Sequence, residues 1–203
     1  MRPNWNILVL AFLATACTSS SRNVRDDGPV SEWIQATPLL AQQIEDEALR
    51  LPYSHGFDRL EQIRWFASIG EPAYPTLLRL AADPRDDVAA AALAALGATL
   101  DARLVTHIQA LPWSEERAAG DLALERARTL VRLGDWSQLS ILIQGLTDER
   151  LFTRSLCLDA LREATHETQA FDPRAELSER EKAVARWQAW WLQRSGEGIL
   201  PRS

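Results

Sequence analysis

Lysine occurs once in the 203 residues, at Lys182, and cysteine only twice, at Cys17 and Cys157. Every other cation is arginine, and alanine is abundant, a bias that speaks of a GC-rich genome rather than of a function. Positive charge is short overall. The formal net charge of −6 argues against a nucleic-acid partner, which requires a positive surface to neutralise phosphates. Histidine is scarce too: His55, His107 and His166 lie far apart, and "HETQA" at His166 lacks the second histidine of a zinc-protease helix. No G-x-S-x-G, phosphate loop, C-x-x-C or dinucleotide fingerprint occurs. These gaps leave no catalytic residue, metal ligand or cofactor to nominate. The acidic "PRDD" at Pro84 to Asp87 opens a helix, where carboxylates in the first turn favour the dipole without binding metal.

Long apolar runs are missing as well. The run from Ile7 to Ala14 follows a single charge, Arg2, and is too short to span a membrane. A charged start, a short apolar stretch and small residues at its end describe an export signal. Ala14-Thr15-Ala16 then leads directly into Cys17, which resembles a bacterial lipobox. The resemblance implies cleavage after residue 16, lipidation of Cys17 and attachment to a membrane through the acyl chains. Thr18 stands where an Asp would imply retention in the inner membrane, so the implied location is the periplasmic face of the outer membrane. Polar residues with Gly28-Pro29 in their midst make 17–36 a flexible tether, with Trp33 and Ile34 placed to dock on the domain after it. Only Cys157 then remains as a thiol, so no disulfide forms within the mature chain. Its neighbours Leu156, Leu158 and Leu161 make it a buried, inert cysteine.

From Thr37 onward the pattern is helical, with almost nothing resembling a strand. Thr37-Pro38 is an N-cap and first position for a helix reaching Leu51. Further helices are expected over Phe57–Ile69, from near Pro75 to Ala82, and from Asp83-Pro84 to Gly97. Others are expected over Asp101–Leu111, Ser114–Leu133 and Asp135–Leu146, the last opened by Asp135 with Gln138, and over Glu149–Ala164. The helices repeat. Gly70 aligns with Gly134, Leu77 with Ile141 and Leu78 with Leu142; after one inserted residue Asp83 aligns with Asp148, Ala92 with Cys157 and Leu96 with Leu161. The shift spans two units, so each is a helix pair of about thirty residues, a period that signals an α-solenoid.

The unit resembles HEAT repeats, in the short bacterial version found in phycobilisome lyases. In that pattern an apolar helix leads to a turn Asp, followed by Arg, Ala and Leu-Gly in the second helix. Asp83, Ala92, Leu96 and Gly97 match in one unit; Asp148, Arg154 and Leu161 match in another, with Cys157 replacing Ala. Ala89 stands where the Arg belongs, so the Asp–Arg ladder is incomplete. The resemblance covers Gly70–Ala164 most fully and implies an all-α solenoid of antiparallel helix pairs over 37–195. A plain helical bundle is the competing architecture.

The C-terminal stretch "LSEREKAVARWQAWWLQR" reads as a capping helix opened by a Ser178–Glu181 capping box. Trp187, Trp190 and Trp191 fall on one side, spaced to cover the open end of a solenoid. The functional expectation is a non-enzymatic lipoprotein scaffold that binds an envelope protein. Arg64, Arg126 and Arg154, on the second helices, are the candidate contacts for acidic partner groups. Two other readings stand beside it: glycan or peptidoglycan binding through the tryptophans, and a lyase-like factor suggested by the repeat alone.

Overall fold

Thr37 opens the helical region as its chemistry requires. Its backbone is extended and its Oγ1 accepts the Leu40 N–H at 3.3 Å, while Pro38 fills the first position, where a missing donor costs nothing. The computed structural model describes residues 32–196, so the expected export signal, Cys17 and most of the expected tether lie outside the described residues. The packed unit begins at Trp33. Trp33 is buried against Tyr74, so the tether expected over 17–36 ends before Trp33, short of the boundary placed at Thr37.

The described residues are all-α, without a strand among them. Ten helices succeed one another: α1 (Pro38–Arg50), α2 (Gly56–Ile69), α3 (Tyr74–Ala81), α4 (Asp86–Ala98), α5 (Leu104–Gln109), α6 (Glu115–Ala119), α7 (Asp121–Arg132), α8 (Leu139–Gly145), α9 (Leu151–Thr165) and α10 (Leu177–Gly196). Gly70 and Gly134, at the C-terminal ends of α2 and α7, have φ of 71° and 102°, a region that glycine enters without Cβ strain. Helices α2, α4, α7 and α9 contact one another in chain order; α3 packs on α4, α5 on α7, and α8 on both α7 and α9.

Four expectations need correction. The single helix over Ser114–Leu133 is two, broken at Gly120, whose extended backbone caps α7 while Ser114 caps α6. Helix α5 starts only at Leu104, because Asp101 is spent in a turn. Helix α10 begins at Leu177, so Ser178 lies inside its first turn and the Ser178–Glu181 capping box does not open it. The repeat alignment also shifts by one. Short 3₁₀ turns at Glu71–Ala73 and Trp136–Gln138 precede α3 and α8, which start at Tyr74 and Leu139. The inserted residue is therefore Asp135, before α8 and not after it. Burial agrees: Leu77 corresponds to Leu142, both enclosed, whereas Ile141 is exposed.

Two apolar clusters form the interior. One gathers Phe66, Leu77, Leu93, Leu96, Leu104 and Ile108; the other gathers Leu139, Leu142, Leu146, Cys157, Leu161 and Trp187. Helix α7 serves both, giving Leu122 and Leu130 to the first, and Ala127 and Val131 to the second. Its approach to α4 is close: a Cβ on Gly97 would stand 3.4 Å from Thr129, whose hydroxyl donates to the Leu93 carbonyl at 3.1 Å.

At the far end α10 packs on α8 and buries Trp187 completely, with Trp190 set edge-on to it at 5.4 Å. Trp190 and Trp191 are half-buried against the same cluster. The loop leading into α10 carries three residues at positive φ, His166, Gln169 and Ala170. Non-glycine residues hold such angles only when their surroundings fix them. Here Arg186 donates to the Gln169 carbonyl at 2.9 Å and Arg154 to that of Pro173 at 2.7 Å.

Gly145 permits the tightest contact between α8 and α9. A Cβ there would lie 2.4 Å from Cys157 Sγ and 3.0 Å from Leu124 Cδ2. Gly145→Ala is expected to destabilise the domain by about 1–3 kcal/mol, the usual cost of overpacking. Adding Cys157→Ala removes the nearest obstacle, so a double-mutant cycle in urea should show a favourable coupling. Simple additivity would mean that the two helices do not meet there.

Candidate functional site

Asp83-Pro84-Arg85, Asp101-Ala102-Arg103 and Asp148-Glu149-Arg150 share one local structure. In each, the Asp Oδ1 accepts the backbone N–H of the Arg, at 2.9, 3.0 and 2.8 Å respectively. The same Arg folds back so that its guanidinium clasps that carboxylate. Asp172-Pro173-Arg174 repeats the backbone part at 2.9 Å. Aspartate closes such turns because its short side chain reaches the N–H two residues on. The D-x-R spacing is a signal the sequence carries at all four turns.

Two of these arginines also reach outside their own turn. Arg150 donates from Nη1 and Nη2 to both Asp121 oxygens at 2.5 Å, joining the turn before α9 to the start of α7. Arg103 bonds Glu71 and lies 5.1 Å over the Trp33 ring, while Glu71 Oε2 accepts the Ile34 N–H at 3.0 Å. These bonds tie each turn to an element distant in the chain. The arginines hold the carboxylates well below their ordinary values: Asp83 and Asp148 to about 2, through hydrogen bonds from Arg85 and Arg150. Hydrogen bonds from Arg59, Arg103 and Arg150 likewise lower Asp87, Asp101 and Asp121.

Between α4, α7 and α9 lies a groove of about 270 Å³, with Arg150 of the turn before α9 in its lining. Ala90 of α4, Leu122 and Leu124 of α7, Leu142 of α8, and Leu156 and Cys157 of α9 make its floor. Phe152 stands at its edge, 73% exposed. Asp86, Asp87, Asp121 and Glu125 line the rim with Arg128 and Arg150. Cys157 offers no reactivity there, because burial pushes its thiol up to about 12. Among the described residues no cluster of His, Cys, Asp and Glu is arranged to hold a metal ion, and no helix is long and apolar enough to cross a membrane.

The three arginines nominated from the sequence do not come together. Arg154 is buried, and its guanidinium donates to the backbone carbonyls of Asp148, Glu149 and Pro173. That geometry ties the α8–α9 turn to the loop before α10 and leaves nothing for a partner, which corrects its assignment as a contact. Arg126 donates to the Gln109 carbonyl at 2.6 Å and lies 5.2 Å from the Trp113 ring. Arg64 is exposed and paired with Glu61, one turn away on α2. None of the three lines the groove; Cys157 and the Asp86 and Asp87 of "PRDD" do, though the sequence marks the first as a core residue and the others as the start of a helix.

Compared with known protein families, curated proteins and solved structures, the chain matches none.

The clasps carry a pH signature. Asp83 and Asp148 are ionised in the fold down to about 2, whereas an unfolded aspartate protonates near 3.8. Their contribution is therefore complete above the unfolded value and is lost as pH falls through about 2. Urea midpoints of the wild type should fall across that window. Asp148→Asn should be less stable at neutral pH and decline less steeply on acidification; an unchanged slope would remove Asp148 from the account.

Proposed function

We propose that the chain is an envelope lipoprotein, anchored through Cys17, that presents a small α-solenoid as a scaffold for another envelope protein. The apolar run ending in Ala14-Thr15-Ala16-Cys17 supports the anchor, and Thr18 supports the periplasmic face of the outer membrane. The chain-order contacts of α2, α4, α7 and α9 support the stacking of helix pairs into a solenoid. The observation that carries the scaffold reading is the groove across three of those helices, apolar at its floor and flanked by a water-exposed phenylalanine. Isolated exposed apolar residues are ordinary; one beside a continuous apolar floor marks an interaction surface.

The glycan reading is weaker, because Trp187 is enclosed and offers no ring face to a sugar. In this proposal the Trp-rich helix is a lid over the second apolar cluster. A lyase-like activity rests on the repeat resemblance, which by itself carries no chemistry.

A photoreactive amino acid in place of Phe152, in the membrane-anchored protein, tests the reading. A discrete adduct with an envelope protein is expected at 152 and not at the equally exposed Leu192. Mass spectrometry of the mature N-terminal peptide should show diacylglyceryl-modified Cys17. An unmodified Cys17 would remove the anchor, and indifference to crosslinker position would remove the groove.

A further inference from the structure

Each carboxylate on the rim named below is paired with an arginine, yet the two members of a pair are not equally presented to a partner. The side chains of Asp86 and Asp87 are 71% and 53% exposed, while their partners Arg117 and Arg59 are only 15% and 17% exposed. The guanidiniums are recessed. Arg117 bonds Asp86 at 3.0 Å and turns inward to the Asp83 carbonyl; Arg59 bonds Asp87 at 2.8 Å and reaches the Leu51 carbonyl. Asp121 is 73% exposed; its partner Arg150, 54% exposed and held between it and Asp148, is not recessed. An approaching molecule therefore meets carboxylate first over the N-terminal end of α4.

We propose, building on the scaffold reading, that the groove receives a basic amphipathic segment of the partner protein. An apolar side chain of that segment rests on the floor beside Phe152, and flanking Lys or Arg side chains meet Asp86, Asp87 and Asp121. The volume suits this: about 270 Å³ admits a few side chains. The charge suits it too. Phosphate-bearing surfaces and acidic segments meet like charge, and a second copy of this chain, at a net charge of −6, does so overall. The partner's sign is thus opposite to the one that exposed arginines would select.

Fluorescence anisotropy with three short labelled peptides tests the proposal on the intact mature protein. One alternates Lys with Leu, one replaces every Lys with Glu, and one replaces every Leu with Ser. The Lys/Leu peptide is expected to bind at least about tenfold more tightly than the other two, and more weakly as salt is raised. Phe152→Ser should weaken it by about tenfold, since that exposed ring is not part of the fold's interior. Asp86→Asn with Asp87→Asn should do the same and flatten the salt dependence, whereas Glu61→Gln, an acid outside the groove, should change nothing. Equal binding of the Glu/Leu peptide, or affinity indifferent to Phe152→Ser, would overturn the proposal. Crosslinking from position 152 separates the two levels. A partner captured there without any preference for the basic peptide ends this inference and leaves the scaffold reading standing. Absence of any partner at 152 ends both.

Discussion

Helix α7 belongs to two cores at once, and the rest of the structure depends on that. Leu122 and Leu130 on it complete the cluster built by the first five helices, while Ala127 and Val131 complete the cluster that Trp187 closes. The helix meets small residues where it must come close: Gly97 on α4 faces Thr129, and Leu124 lies against the backbone at Gly145. Side chains packed at near-crystalline density leave little room to shift one neighbour without the other. The groove arises from the same placement, because Leu122 and Leu124 can form its floor only while α4 and α9 flank α7 on either side.

Electrostatics acts on a second level, at the turns. A surface ion pair contributes only about 0–1 kcal/mol, so the D-x-R clasps are not what makes the domain stable. Their effect is geometric. By fixing Arg85, Arg103 and Arg150 over their own aspartates, they set the path by which the chain enters α4, α5 and α9. Arg150 then spans to Asp121 and joins the turn before α9 to the N-terminal end of α7. Recessed Arg59 and Arg117 complete the pattern and leave exposed carboxylates above an apolar floor. Fold and groove are thus built from the same residues.

Much of the local structure was legible in the sequence, because caps and stops are short-range. Thr37-Pro38, Gly70 and Gly134 act where their chemistry places them. Gly120 was harder, since a lone glycine within a helical pattern is compatible with both a break and a tolerated substitution. The position of the inserted residue was ambiguous for a similar reason. Gly134 and Asp135 both suit a turn, and the starts of α3 and α8, with burial of Leu142 in place of Ile141, settle the register. The candidate site was not legible. Arginines are normally exposed, so nothing local marks Arg154 as a buried tie between two loops. The groove itself is assembled from α4, α7 and α9, and no sequence window contains it.

The central claim is that α7 couples the two apolar clusters into one cooperative unit, and native-state hydrogen exchange tests it most directly. Ala127→Gly weakens α7 at a position buried in the second cluster and not among the residues it gives to the first. If α7 is the shared element, amides in α4 and in α9 should lose protection together and to a similar extent. If α9 and α10 lose protection while α4 keeps that of the wild type, the clusters open independently and the account fails.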